Sequence, residues 1–368
     1  MKVCLVSTSI QQTSGYSLVA YHILRELSKT CEVAHFATHA RGRGVHLRNT
    51  LTGVDTEEHA DFAFQHLRPF CETRGVDVVL LYNDVGVVLS YLQHWTPPRL
   101  WVYLDVVAHG IPPPLLRHIH DRAERIFLMN EYWRSTYPFP KASVVEHGVD
   151  TSVVRRLPAE DNLRLRASMN IPDDAILVFN ANRNSRRKRL DLTISAFVQF
   201  AKTEPRAFLL LMTSADGFYD IKAVLGHEIE KHGHNCASRV LSINTDAITI
   251  SDDKMNAFYN IADIGLNTST GEGYGLTALH HATLGQPQVL TALPHYDRNL
   301  PAVFIPPLPD REYYEMTEYS GGFHDTFASA DVAEGLRKAA EMKVAEGQYT
   351  PLTWSTALRE LNNASTCP

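Results

Sequence analysis

The chain reads as an α/β protein made of two tandem Rossmann-like, doubly wound units, each a parallel sheet with helices on both faces. Three observations predict this. The 368 residues exceed one typical domain and suit two. Continuous apolar runs, separated by helical stretches, recur in both halves, and parallel strands buried on both faces read that way. A polar, charged stretch at 155–172, holding Pro158, Glu160, Asp161 and Pro172, divides the halves and reads as a linker. With 44% hydrophobic and 21% charged residues, the composition supports two cores.

The first half opens on a strand, Val3–Ser7. Tyr16–Lys29 is predicted helical because Ala20, Ile23, Leu24 and Leu27 recur at helical spacing. Buried strands follow at Glu32–Thr38, Val76–Tyr82, Leu100–Leu104, Arg125–Met129 and Ser143–Glu146. Beyond the linker, strands are predicted at Ala175–Ala181, Ala207–Thr213, Arg239–Ile243, Asp263–Asn267 and Gln288–Thr291. Leu190, Ile194, Phe197 and Ala201 form the apolar stripe of a helix over Asp191–Lys202, and Leu352–Leu361 is a last amphipathic helix. The domains are therefore set at 1–160 and 170–350. In such sheets ligands bind beyond the carboxyl ends of the strands, so a cleft between the two units is the expected site.

The net charge of −6 argues against a general nucleic-acid binder. Cys4, Cys31, Cys71, Cys236 and Cys367 are odd in number and form no C-x-x-C, which predicts reduced thiols in an intracellular protein without a zinc site. The start enters a strand at once, with no signal-peptide pattern. No apolar run approaches the ~18 residues of a membrane span. A soluble, cytoplasmic protein is expected. His227 and His232 are five apart, about 140° around a helix, so they do not share a metal-binding face. No Asp-x-Asp pair occurs.

Three loops after predicted strands carry unusual residues. Gly271-Glu272-Gly273-Tyr274-Gly275-Leu276 precedes a helix. Its glycines let a ligand approach the main chain, the helix start suits a phosphate, and Glu272 can accept from sugar hydroxyls. The same glycines would also serve a plain strand-to-helix connector. It is neither a dinucleotide fingerprint nor a P-loop. Around Asn182–Lys188, the five cations Arg183, Arg186, Arg187, Lys188 and Arg189 suit a diphosphate clamp or a solvated loop. Thr13-Ser14-Gly15-Tyr16 ends the first βα loop, with Ser14 placed to cap the helix.

These residues resemble the retaining GT-B glycosyltransferases of family 4. That family's E-x7-E motif contains E-G-[FY]-G-L, matched by Glu272–Leu276, and its G-R-x4-K loop resembles Asn182-Arg183 with Lys188. His147-Gly148-Val149-Asp150, Ile261-Ala262-Asp263 through Pro287, and Thr353-Trp354 resemble further family segments. The likeness spans nearly the whole chain and is specific in the second half.

The resemblance implies that the terminal helix, 352–368, crosses back to the first domain. It implies that Arg183 and Lys188 grip the diphosphate and Glu272 holds donor-sugar hydroxyls. The N–H groups of Gly273, Tyr274, Gly275 and Leu276 would reach sugar and phosphate, and Gly15 and Tyr16 would line the pyrophosphate. The base would rest near Ile248–Ser251, where backbone groups, those of Ile248 and Ile250 among them, would read its edge. Anomeric configuration would be retained, with no metal, no cofactor and no protein nucleophile. The basic loop is similar to that of mannosyltransferases, favouring GDP-mannose over a UDP-sugar as donor. The acceptor would be a saccharide, glycoprotein or glycolipid, and a homodimer stays open.

Two positions depart from the family. The second glutamate of E-x7-E, which meets the ribose, is His280 here. A neutral imidazole accepts through one nitrogen only. The histidine usual after the strand at 100–104 is replaced by Leu104-Asp105, leaving Asp105 or His109 for its role, or neither. A sugar-nucleotide epimerase, a phosphorylase of this fold and a non-catalytic binding scaffold are the competing readings. A dehydrogenase is disfavoured for lack of a G-x-G-x-x-G turn.

Overall fold

The computed structural model describes residues 1–40, 45–316, 321–345 and 347–366. Cys367 and Pro368 lie outside the described residues; the other four cysteines are free thiols. The chain forms two compact units. The first comprises Met1–Gly148 with Tyr314–Phe323 and the segment from Leu352 onward; the second comprises Val149–Tyr313 and His324–Pro351.

In the first unit, a parallel sheet runs in the order Val54–Glu58, Glu32–Thr38, Lys2–Thr8, Val78–Asp84, Leu100–Asp105, Arg125–Leu128, Ala142–Val144. The predicted apolar runs are its buried strands. Val54–Glu58 was not predicted: it is an edge strand with exposed charges and lacks an apolar run. The order reverses beside Lys2–Thr8, and the helix Gly15–Leu27 starts just after that strand. Ser14 caps this helix, its hydroxyl accepting from the Ser17 N–H at 3.1 Å. Pro113 and Pro114 open a helix, Pro113–His120, where a missing N–H costs nothing.

The terminal segment belongs to this unit. It is two short helices, Trp354–Ala357 and Arg359–Thr366, rather than one. Trp354 is buried and stacks on His22 with ring centroids 4.3 Å apart. Ser365 Oγ lies 2.9 Å from Thr30 Oγ1. Gly148 is glycine because this segment crosses it: a Cβ there would stand 2.5 Å from the Trp354 backbone nitrogen.

The second unit has a parallel sheet in the order Val240–Asn244, Ala207–Thr213, Ile176–Asn180, Ile264–Asn267, Gln288–Thr291, Ala302–Ile305. Phe179, Phe197, Phe200 and Leu210 are fully buried in its core. Each such side chain contributes about 1.5–3 kcal/mol. The strand order reverses between Ile176–Asn180 and Ile264–Asn267, so the loops after these two strands emerge side by side.

The expected linker at 155–172 is instead built into the second unit. Ala159–Ser168 is a helix, missed because it is mostly polar. Its buried Arg166 donates to the Ile261 carbonyl at 2.6 Å and pairs with Asp263 at 2.6 Å. Asn256 and Asn260 donate to the Arg155 carbonyl at 3.0 and 2.9 Å, so the polar residues read as a linker are structural anchors. The division of the chain falls at Gly148–Val149, not near 160–170.

Candidate functional site

The second unit brings together the basic loop and the glycine-rich loop. Arg186–Lys188 forms a single 3₁₀ turn, and Arg189, at φ 48°, starts the helix Leu190–Thr203. The other loop runs from Asn267 to the helix Leu276–Thr283. Hydroxyls and main chain fasten one to the other. Thr270 donates to the Arg187 carbonyl through N at 2.8 Å and Oγ1 at 3.1 Å, and Thr268 Oγ1 reaches the Arg189 carbonyl at 2.9 Å.

Glu272 and Lys188 are both buried and form an ion pair through Oε1 and Nζ. Asn267 Nδ2 donates to the same Oε1 at 3.1 Å, and Arg187 Nη1 stands 3.5 Å from Oε2. Burial alone would raise the Glu272 carboxyl, but Lys188 and Arg187 outweigh it and hold the group well below the usual range. Burial is also the largest influence on Lys188. It lowers the ammonium to about 8 against the raising effect of Glu272, with Arg187 and Arg183 adding to the fall. Both groups are charged at neutral pH.

Arg187 was not singled out from the sequence, which pointed to Arg183 and Lys188. Its Nη1 donates to the Gly271 carbonyl at 2.6 Å, fixing the loop that carries Glu272. Arg183 is exposed, and its side chain makes no hydrogen bond or ion pair among the described residues. Asn267 was also missed; the available signal was a polar residue at the carboxyl end of an apolar strand. Asn182 Nδ2 and the Ser269 N–H donate to its Oδ1 at 3.3 and 3.1 Å. Tyr296, far along the chain, left no signal. Its ring fills the space a side chain at Gly275 would need, with a Cβ there 2.4 Å from the ring, and Gly275 sits at φ 94°. Tyr274 and Leu276 pack partly buried against the core, and Gly273 is buried.

His280 lies on the helix Leu276–Thr283, turned to Tyr259, whose ring centroid is 5.1 Å away. Burial lowers its imidazole to about 4, so it is neutral near pH 7. Ile250 is fully buried in the core, and Ile248 is partly buried. Asp252, just after this stretch, acts on His280 to raise it.

The first unit gathers Tyr16 and Asp105 with a residue not expected, Asp84. The Tyr16 hydroxyl donates to Asp84 Oδ1 at 3.0 Å. Asp84 and Asp105 are paired neighbours at the carboxyl ends of adjacent strands. Burial first, then the charges of Asp105 and Asp84, push the Tyr16 phenol well above its ordinary value. Gly15 is exposed at the helix start. His109 Nε2 is 2.9 Å from the Tyr132 hydroxyl, and its backbone pairs with Phe323.

Among the described residues no group of three or more His, Cys, Asp or Glu is placed to hold a metal. His232 pairs with Glu228 at 3.2 Å instead. No helix among the described residues is long and apolar enough to cross a membrane.

No protein-family model matches the chain. It is similar to the O-antigen biosynthesis glycosyltransferase WclY of Escherichia coli, 27% identical over 215 residues, covering 58% of this chain and 51% of that protein. It is also similar to the lipopolysaccharide 1,2-N-acetylglucosaminetransferase of Salmonella typhimurium, 24% identical over 206 residues, covering 54% and 50%. The chain thus spans about half the length of the curated relatives it matches. Among solved structures, Anabaena HepE in complex with UDP and glucose superposes with a TM-score of 0.70 at 13% identity, covering 100% of both chains. Sucrose-phosphate synthase from Thermosynechococcus elongatus gives 0.68 at 14%, covering 100% and 95%. With two parallel-sheet α/β units and these structural relatives, the chain has the GT-B fold.

Proposed function

We propose that the protein is a glycosyltransferase that moves a hexose from a nucleoside diphosphate sugar to a saccharide or glycoconjugate acceptor. The observation that carries this is the junction of Lys188, Arg187 and Glu272 at the switch point of the second sheet. It offers cations for a diphosphate and a held carboxylate for sugar hydroxyls, beside a helix start. The names of the similar E. coli and Salmonella enzymes support the reaction class and a glycoconjugate acceptor.

The bond from the anomeric carbon to the diphosphate oxygen breaks, and the acceptor oxygen takes its place on the same face. The acceptor's proton passes to the leaving phosphate. Lys188 with Arg183 stabilises the negative charge that develops on that phosphate. The neighbouring arginines meet the charge without a metal. The basic loop favours GDP-mannose. A UDP-sugar is the second reading, because similarly folded HepE holds UDP and glucose.

Calorimetric titration with GDP-mannose, UDP-glucose and UDP-N-acetylglucosamine, with and without chelator, tests the proposal. One of them should bind regardless of chelator, and silence from every sugar nucleotide removes the reading. Product analysis without acceptor separates a transferase from an epimerase.

A further inference from the structure

We propose that Glu272 serves as the internal counter-anion of Lys188 in the unliganded site, and that a ligand's diphosphate displaces it from Lys188, releasing its oxygen to the hydroxyls of the attached sugar. This rests on the reading of the site as the seat of a nucleoside diphosphate sugar, and adds how that site selects its ligand.

The carboxylate is already engaged by three protein donors: Lys188 and Asn267 on Oε1, and Arg187 facing Oε2. A buried carboxylate so engaged has little capacity left for sugar hydroxyls. One donor must leave, and the geometry points to Lys188. Arg187 is tied to the Gly271 carbonyl by the same Nη1 that faces Glu272. Asn267 is fixed through its other atom by Asn182 and Ser269. Lys188 makes its only hydrogen bond from Nζ to Glu272 among the described residues, and its flexible stem can re-aim that point charge.

A diphosphate carries more charge than a carboxylate and can take the ammonium over; a free sugar carries none. The exposed Arg183, whose side chain has no hydrogen bond or ion pair among the described residues, adds attraction for the incoming anion. The site therefore has a sequence of events built in: phosphate first, sugar second. A neutral hexose has no means of separating a buried pair whose two charges would each be costly alone. Arg187 and Asn267 then act as positioning residues that keep Glu272 in place after Lys188 has turned away.

The charged groups acting on Lys188 are Glu272, Arg187 and Arg183. Without the Glu272 charge, burial and two cations remain, so Lys188 would lose its proton at lower pH. This gives the test a second axis.

UDP and GDP are titrated by calorimetry into the wild type, Glu272→Gln and Glu272→Asp, with folding verified by circular dichroism. The nucleoside diphosphate that the wild type takes should bind Glu272→Gln at least about threefold tighter near pH 6, the scale of one weakened ion pair. The gain should shrink near pH 7.5, where the unpaired Lys188 deprotonates while the paired one, at about 8, keeps most of its charge. Glu272→Asp, with its carboxylate set back by one methylene, should shift in the same direction and decides the matter if the glutamine variant does not fold. Equal or weaker binding near pH 6 in a folded variant overturns this exchange while leaving the proposed function standing. A wild type that binds neither UDP nor GDP overturns both.

Discussion

The hydroxyl of Tyr296 and the side-chain amide of Asn267 stand 3.2 Å apart, and the same amide nitrogen lies 3.1 Å from Glu272. A residue some thirty positions downstream thus helps orient the group that holds the site's carboxylate. Burial, then the charge of Glu272, keeps the Tyr296 phenol protonated. Tyr296→Phe removes this hydrogen bond without opening a cavity and should cost about 0.5–1.5 kcal/mol in urea unfolding. Donor affinity should fall in parallel, and a variant matching the wild type in both would disconnect Tyr296 from the site.

Gly275→Ala should do more damage than its size suggests. It combines a left-handed backbone at φ 94° with a Cβ that would meet the Tyr296 ring at 2.4 Å. Strain at such a residue amounts to roughly 1–3 kcal/mol. Thermal unfolding should show a lowered midpoint, and donor binding should weaken because the helix start moves. Restoration by Gly275→Ala with Tyr296→Leu would assign the loss to the ring contact.

Lys188 and Glu272 should behave as one unit in stability. Removing either partner leaves a buried charge, which in such pairs costs about 3–5 kcal/mol; the remaining Arg187 should make Lys188→Met milder than an unpaired carboxylate implies. Glu272→Gln combined with Lys188→Met should cost clearly less than the sum of the single changes. Strict additivity in the denaturation series would mean the pair is not coupled. Separately, Glu272→Ala should lower turnover at least about tenfold, from the roughly 1.5–3 kcal/mol of a hydrogen bond to a charged group.

Acid should weaken the first unit through two buried histidines. Burial lowers His35 and His147 from 6.5 to about 3. The unfolded chain therefore binds more protons than the folded one between those values, so stability rises with pH there. Their contribution is complete above about 6.5 and is lost as pH falls toward 3. Urea midpoints should drop across that window, and the drop should be smaller in His35→Gln; an unchanged drop in His35→Gln combined with His147→Gln would assign it to carboxylates alone.

The sheets were legible because parallel strands buried on both faces leave unbroken apolar runs, as at Glu32–Thr38, Ala207–Thr213 and Gln288–Thr291, where the predicted and observed limits coincide. The helix at Ala159–Ser168 was not, because its tie to the core is one buried arginine rather than an apolar stripe. In the site, Glu272 and Lys188 stood out as short-range motifs. Arg187 hid inside a run of cations whose members the sequence cannot rank. Asn267 and Tyr296 matter through contacts that only the folded sheet creates. His280 drew notice as a departure, and the structure shows it facing Tyr259.

The tie between Thr30 and Ser365, and the stacking of Trp354 on His22, bear on how the chain is made. A ribosome synthesises the second unit, through Pro351, before the terminal helices that pack on the first. Until Trp354 emerges, the helix Gly15–Leu27 waits with His22 uncovered and Gly148 uncrossed. The first unit has segments on both sides of the second in the chain, so translation that stops before Trp354 leaves the older unit, not the newer one, incomplete.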